Sequence, residues 1–144
     1  MYVVNASITI NFFMDEIASK GTPVYLDERR QYPPCVTSKR YNSLGTERHF
    51  IGILRNAVVG KDLTREPLNY HQYEVQKGSK VDIITDGCIV VQLLPRYSKK
   101  LPVASRLYFD NGHWRKTKKK EDAILITLSP VNEQGFVTCQ ILKR

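Results

Sequence analysis

Hydrophobic and polar positions follow one pattern in the first half of the chain and another in the second. Residues 2–10 are dense in β-branched side chains and predict an opening strand. Beyond Asn11, a plausible cap, Phe12, Phe13 and Ile17 fall at helical spacing before Gly21, which predicts a short helix over 12–20. Residues 23–26 read as a short strand, and 27–43, with Pro33 and Pro34 and no clear period, read as a surface loop. Phe50, Leu54, Ala57 and Val58 recur at i, i+4, i+7 and i+8, and Thr46 can cap them, so the spacing predicts a helix over 46–58 that ends at Val59-Gly60.

After Gly60 the period becomes that of strands. Residues 70–75, 80–85 and 88–94 fit this period, with a turn expected at Asp86-Gly87 and a buried central strand at 88–94. Residues 106–109 and 113–116 flank Asp110-Asn111-Gly112, a strong hairpin signal because Asn and Gly adopt positive φ at low cost. Residues 123–129 and 136–142 form a second pair around 130–135. The expectation is a single domain over 1–144 of α+β or α/β class, with a mixed sheet, two helices in the N-terminal half and β-hairpins in the C-terminal half.

Composition changes this picture little. With 144 residues, 42% of them hydrophobic, 25% charged and 10% aromatic, the chain suits one globular core. No apolar run reaches the ~18 residues of a membrane span, and the first residues lack the pattern of a secretory signal, so a cytoplasmic protein without membrane partners is expected. Cys35, Cys88 and Cys139 are odd in number and widely spaced, and point to reduced, mostly buried thiols and not to a disulfide framework or a zinc site.

Charge is more informative once it is located. The net charge is +8, and residues 96–120 alone hold nine basic residues against Asp110, while the other 119 residues carry 13 basic and 13 acidic side chains. A local cationic field of this kind favours a polyanionic partner.

No phosphate loop, GxSxG or HExxH pattern is present. His49, His71 and His113 are not spaced as a metal set, and no cofactor or metal is implied. In the basic segment, Tyr97, Tyr108, Phe109, His113 and Trp114 interleave with Arg96, Arg106, Arg115, Lys116, Lys118, Lys119 and Lys120. A π face beside cationic groups is what stacking on a base and holding its phosphate requires. The opposite reading is equally open at this point, since strand alternation turns half of such residues inward whatever the function. Gly45 and Thr46 lie at the start of the predicted second helix, where free N–H groups and the dipole favour an anion, although an ordinary capped helix fits too. Asn5, Ser7, Thr9 and Asn11 share one face of the opening strand, and on a buried strand that face must hydrogen-bond loops or a ligand.

Three blocks in this order resemble the viral ring nucleases, which block type III CRISPR immunity by degrading cyclic tetra-adenylate. Asn5-Ala6, then after Ser7 the run Ile8-Thr9-Ile10-Asn11-Phe12-Phe13, is similar to the family's opening strand, Asn-Ala-Phe-Ser-Ile-Asn-Met-Leu. Leu44-Gly45-Thr46-Glu47-Arg48-His49 resembles the family's Ile-Gly-His-Glu/Asp-Ser-Thr, and Val90-Val91-Gln92 with Arg96 resembles its Val-Val-Gln and following arginine. The resemblance spans about residues 2–101 and leaves 102–144, the basic hairpin region, uncovered.

It implies a nucleotide site formed by Asn5, Thr9, Asn11, Gly45, Thr46, Gln92 and Arg96. The family's catalytic histidine aligns with Thr46, and its glutamate falls near Ser98 or Lys99. His49 is the one residue left for acid–base work. The implied protein is therefore a viral anti-defence sponge in the host cytoplasm. It would sequester a cyclic oligonucleotide or cyclic dinucleotide as a homodimer or higher symmetric oligomer, without efficient cleavage. An enzyme built on it would be a metal-independent cyclic-oligonucleotide phosphodiesterase. The basic segment offers the alternative of a DNA- or RNA-binding module that uses 96–120 as its footprint, with Arg106, Tyr108, Trp114, Arg115, Lys116, Lys118, Lys119 and Lys120 as lid or nucleic-acid patch.

Overall fold

β-Branched and aromatic residues dominate residues 2–13, 50–54 and 80–91, and strands form there. The computed structural model describes residues 1–30, 32–60, 74–94 and 101–142. Among them are eleven strands and no helix, and pairing is mostly antiparallel. The expected α+β or α/β fold with two N-terminal helices is thereby corrected to an all-strand one. Two compact units form, one from residues 1–7 and 85–144 and the other from 8–84. Two long strands, β1 (Tyr2–Phe13) and β7 (Lys80–Gln92), pair with each other and each supplies residues to both units.

In the unit of residues 8–84, β2 (Pro23–Leu26) lies between β3 (Val36–Thr37) and β4 (Phe50–Leu54), and β4 pairs in turn with the start of β7 through Ile53↔Ile84 and Leu54↔Ile83. Here stands the largest departure from the expected helices. The strand β4 is buried on both faces, so its sequence carries no period-2 signal, and the spacing of Phe50, Leu54, Ala57 and Val58 imitates a helix. Gly52 shows why a strand forms: a Cβ there would run into the Ile84 carbonyl, a backbone approach that a helical side chain would block. Residues 57–59 form β5 (Ala57–Val59), which runs parallel to β6 (Glu74–Gln76).

The other predicted helix also dissolves. Phe12 and Phe13 complete β1, Met14 is fully buried with Val24, Leu54, Val58 and Ile83, and Ala18 bridges to Val58. Each such aliphatic side chain contributes on the order of 1.5–3 kcal/mol by leaving water, far more than three helically spaced residues gain from local propensity.

A buried cation organises the long loop of this unit. The Arg48 guanidinium donates to both carboxylate oxygens of Glu28 (2.7 and 3.2 Å) and to the carbonyls of Lys39 and Tyr41. Asp27, also buried, accepts from Arg29 through Nε, Nη2 and the backbone N–H at 2.8–3.1 Å.

In the unit of residues 1–7 and 85–144, the strand order is β7, β11 (Phe136–Ile141), β10 (Leu125–Thr127), β8 (Arg106–Asp110), β9 (His113–Lys116), and the first half of β1 pairs with β7. The turn expected at Asp86-Gly87 does not form. Instead, residues 80–85 and 88–92 belong to one strand, and Gly87, at φ +116°, lets the Asn5 carbonyl and Ala6 approach where a side chain would collide. The hairpin turn at Asn111-Gly112 stands where the sequence places it, with φ of 48° and 79°. Register divides the residues of the sheet into two faces. Ile89, Val91, Val137, Cys139, Ile141, Leu125, Leu107 and Trp114 line the buried face, while Cys88, Gln92, Phe136, Thr138, Gln140, Ile126, Arg106, Tyr108 and Arg115 line the other.

Candidate nucleic-acid interface

The β8–β9 hairpin decides which of its aromatic residues face water. Opposed residues in an antiparallel pair share a face, and Phe109 stands opposite Trp114 while Tyr108 stands opposite Arg115. Phe109 and Trp114 meet edge to face at 5.0 Å, and Trp114, only 6% exposed, packs inward. Trp114 is therefore a core residue, which corrects its place in the expected patch. The outer side carries Arg106, Tyr108 and Arg115, all half-buried, with exposed His113 opposite Asp110 at the hairpin end.

Electrostatics on this face are only partly balanced from within. Arg115 Nε lies 3.5 Å from Asp110 Oδ2 and has no hydrogen-bond partner among the described residues. A buried donor left in this state costs free energy. Just past β9, Thr117 donates its N–H to the Arg106 carbonyl and accepts the Lys119 N–H at its hydroxyl, so the basic turn begins from a fixed point. Lys116, Lys118, Lys119 and Lys120 are exposed.

A polar cleft of about 370 Å³ opens elsewhere in the same unit, between His113, Gln92, Glu133 and Gly135. The Gln92 amide donates to the Gln134 carbonyl at 3.2 Å, and the turn bearing Glu133 is fixed by Asn132, whose side-chain oxygen accepts from the N–H groups of Gln134 and Phe136. Glu133 and Gln134 gave no signal in the sequence, because a turn glutamate looks like any solvated acid.

The residues expected to form a nucleotide site are dispersed over different elements. Asn5 is exposed on β1 and Gln92 is exposed at the end of β7; Thr9 is half-buried and Asn11 exposed further along β1; and Arg96 lies outside the described residues, as do Tyr97 and His71. The opening strand is not buried, so its polar face needs no ligand to satisfy it. Gly45 and Thr46 sit in an exposed turn and not at a helix N-terminus. The N–H groups of Leu44 and Thr46 both donate to Asn42 Oδ1 at 2.9 Å and that of Gly45 to the Asn42 carbonyl at 3.0 Å, so the donors an anion would need are already engaged. His49 is exposed just before β4.

Burial pushes the Cys139 thiol up to about 12, the reverse of what reactivity requires, and all three cysteines are free thiols. Among the described residues, no group of three His, Cys, Asp or Glu side chains is placed to hold a metal, and no helix is long and apolar enough to cross a membrane. No protein-family model matches the chain, and neither does any curated protein.

Proposed function

We propose that this protein binds single-stranded nucleic acid along the outer side of β8 and β9 and the lysine-bearing turn that follows. The observation that carries the reading is the direct opposition of Tyr108 and Arg115, with Arg106 on the same side and Trp114 withdrawn into the core. A ring and a guanidinium at one level of a sheet offer a base a stacking surface and its phosphate a charged donor. The exposed Lys118, Lys119 and Lys120 of the following turn supply further phosphate contacts.

The cyclic-messenger reading drew on Thr9, Thr46, Arg96 and the basic segment together; of these, Thr46 lies in an exposed turn whose N–H donates to Asn42 and not at the start of a helix. Fluorescence anisotropy with labelled linear oligonucleotides over a salt series tests the proposal. Four to six phosphate contacts give a log–log slope of roughly −3 to −4 on single strands. Absence of binding at low salt, or a slope near zero, sinks the reading. Preference for a cyclic di- or tetranucleotide over every linear strand also sinks it, in favour of messenger capture.

A further inference from the structure

The cleft at the end of β7 is held open by a turn that is fixed on two sides. The Leu93 N–H donates to the Gly135 carbonyl at 2.8 Å and the Gln92 amide to that of Gln134 at 3.2 Å, which ties residues 132–135 to β7. Asn132 closes the turn on itself: its carbonyl accepts the Gly135 N–H at 3.0 Å, and its side-chain oxygen accepts those of Gln134 and Phe136 at 2.9 Å. Gly135 has a φ of +85°, and a Cβ there would come to 3.0 Å from the Leu93 carbonyl oxygen. Glu133 is therefore carried on a backbone that is set before any ligand arrives. Every residue of the cleft belongs to the unit of residues 1–7 and 85–144.

Two ionisable side chains line this space without pairing to each other. Among the described residues, the Glu133 carboxylate and the His113 imidazole make no hydrogen bond or ion pair. The Gln92 amide keeps one N–H after its bond to Gln134, and half-buried Leu94 adds an apolar side. A volume of about 370 Å³ lies at the low end for small-ligand sites and suits one planar ring system. We propose that the cleft takes a guanine base of the bound strand, a specificity that rests on the single-strand reading above. Guanine alone among the four bases presents two adjacent donors, N1–H and N2–H, beside an acceptor, O6. Glu133 accepts from the two donors, and the remaining Gln92 N–H donates to O6. Adenine would turn its N1 lone pair, and cytosine its N3 lone pair, toward the carboxylate. Uracil has a single N–H between two carbonyls.

Position and charge favour a base over other partners of a carboxylate. His113 lines the cleft and also lies on the outer side of β9, two residues before Arg115 and opposite Asp110. Two residues of a strand cover ~7 Å, about one nucleotide of an extended single strand, so a strand held at Tyr108 and Arg115 reaches the cleft with its next base. A free cation would also suit Glu133, but the field of a chain of net charge +8, with nine basic residues in 96–120, works against it. A neutral base on a phosphate backbone meets no such opposition.

Anisotropy on the full chain tests this with an all-uridine oligonucleotide and with the same strand carrying one central G, A, C or inosine. The G strand is expected to bind about tenfold tighter than the U, A and C strands, and inosine, which lacks the 2-amino group, to lose most of that gain. Glu133→Gln is expected to bring the G strand to the affinity of the all-uridine one; Glu133 is exposed, so the urea midpoint checks that the variant is folded. Strands that bind alike whatever the central base overturn the cleft proposal, and so does a guanine preference that survives Glu133→Gln. If no linear strand binds, the single-strand reading fails, and saturation-transfer NMR with GMP against AMP, CMP and UMP decides the cleft by itself. GMP bound selectively, and lost in Glu133→Gln, upholds it; no selectivity for GMP overturns it as well.

Discussion

Single residues with little chemistry of their own hold much of this structure in place. Gly52 is one: a methyl group there would meet the Ile84 carbonyl and come within 2.7 Å of Ile83 Cγ2. Gly52→Ala is expected to cost about 3 kcal/mol in urea unfolding, because a strand buried on both faces has no room to yield. Nothing in a run such as FIGIL announces that constraint, since the colliding atoms belong to residues more than thirty positions away. Asp27 makes a second case. Three hydrogen bonds from Arg29 hold its carboxyl below the usual carboxylate range. A carboxyl whose pKa is lowered on folding stabilises the fold above its unfolded value of about 3.9, and that contribution disappears as pH falls through the folded value. The urea midpoint is therefore expected to drop on acidification below about pH 4, and Asp27→Asn to flatten that acid limb.

At the scale of elements, the β8–β9 hairpin separates stability from binding. Trp114→Ala is expected to cost about 3–5 kcal/mol in stability, as for a large buried aromatic that loses its Phe109 partner. Arg115→Ala is expected to leave the urea midpoint nearly unchanged and to weaken oligonucleotide binding in the anisotropy assay. The reverse pattern would move the interface to the other face. This hairpin was legible because its signal is local: Asp110, Asn111 and Gly112 carry their positive-φ tolerance with them wherever the chain places them. The stretch from 46 to 58 was not legible. Its apolar residues satisfy a helical period as well as they satisfy β4 and β5, and the choice falls to partners such as Val24, Ile83 and Ile84.

For the whole molecule, the question is how a basic segment sits on an otherwise neutral chain. Replacing Lys118, Lys119 and Lys120 together by alanine is expected to reduce the log–log salt slope by about 2, at roughly 0.7 per phosphate contact, without moving the urea midpoint. All three lysines are exposed, so the two readouts are separable. The sequence by itself determined what depends only on neighbouring residues and on counting: the strand character of residues 2–10 and 23–26, the turn at Asn111-Gly112, the free thiols, and the concentration of positive charge between 96 and 120. Only the tertiary structure decided that no helix forms among the described residues, that Trp114 turns inward while Tyr108 turns outward, and that the polar residues of β1 lie on an exposed strand. Those outcomes turn on which distant chain segment covers a given face. Neither hydrophobic period nor composition records that for a strand buried on both sides or on neither.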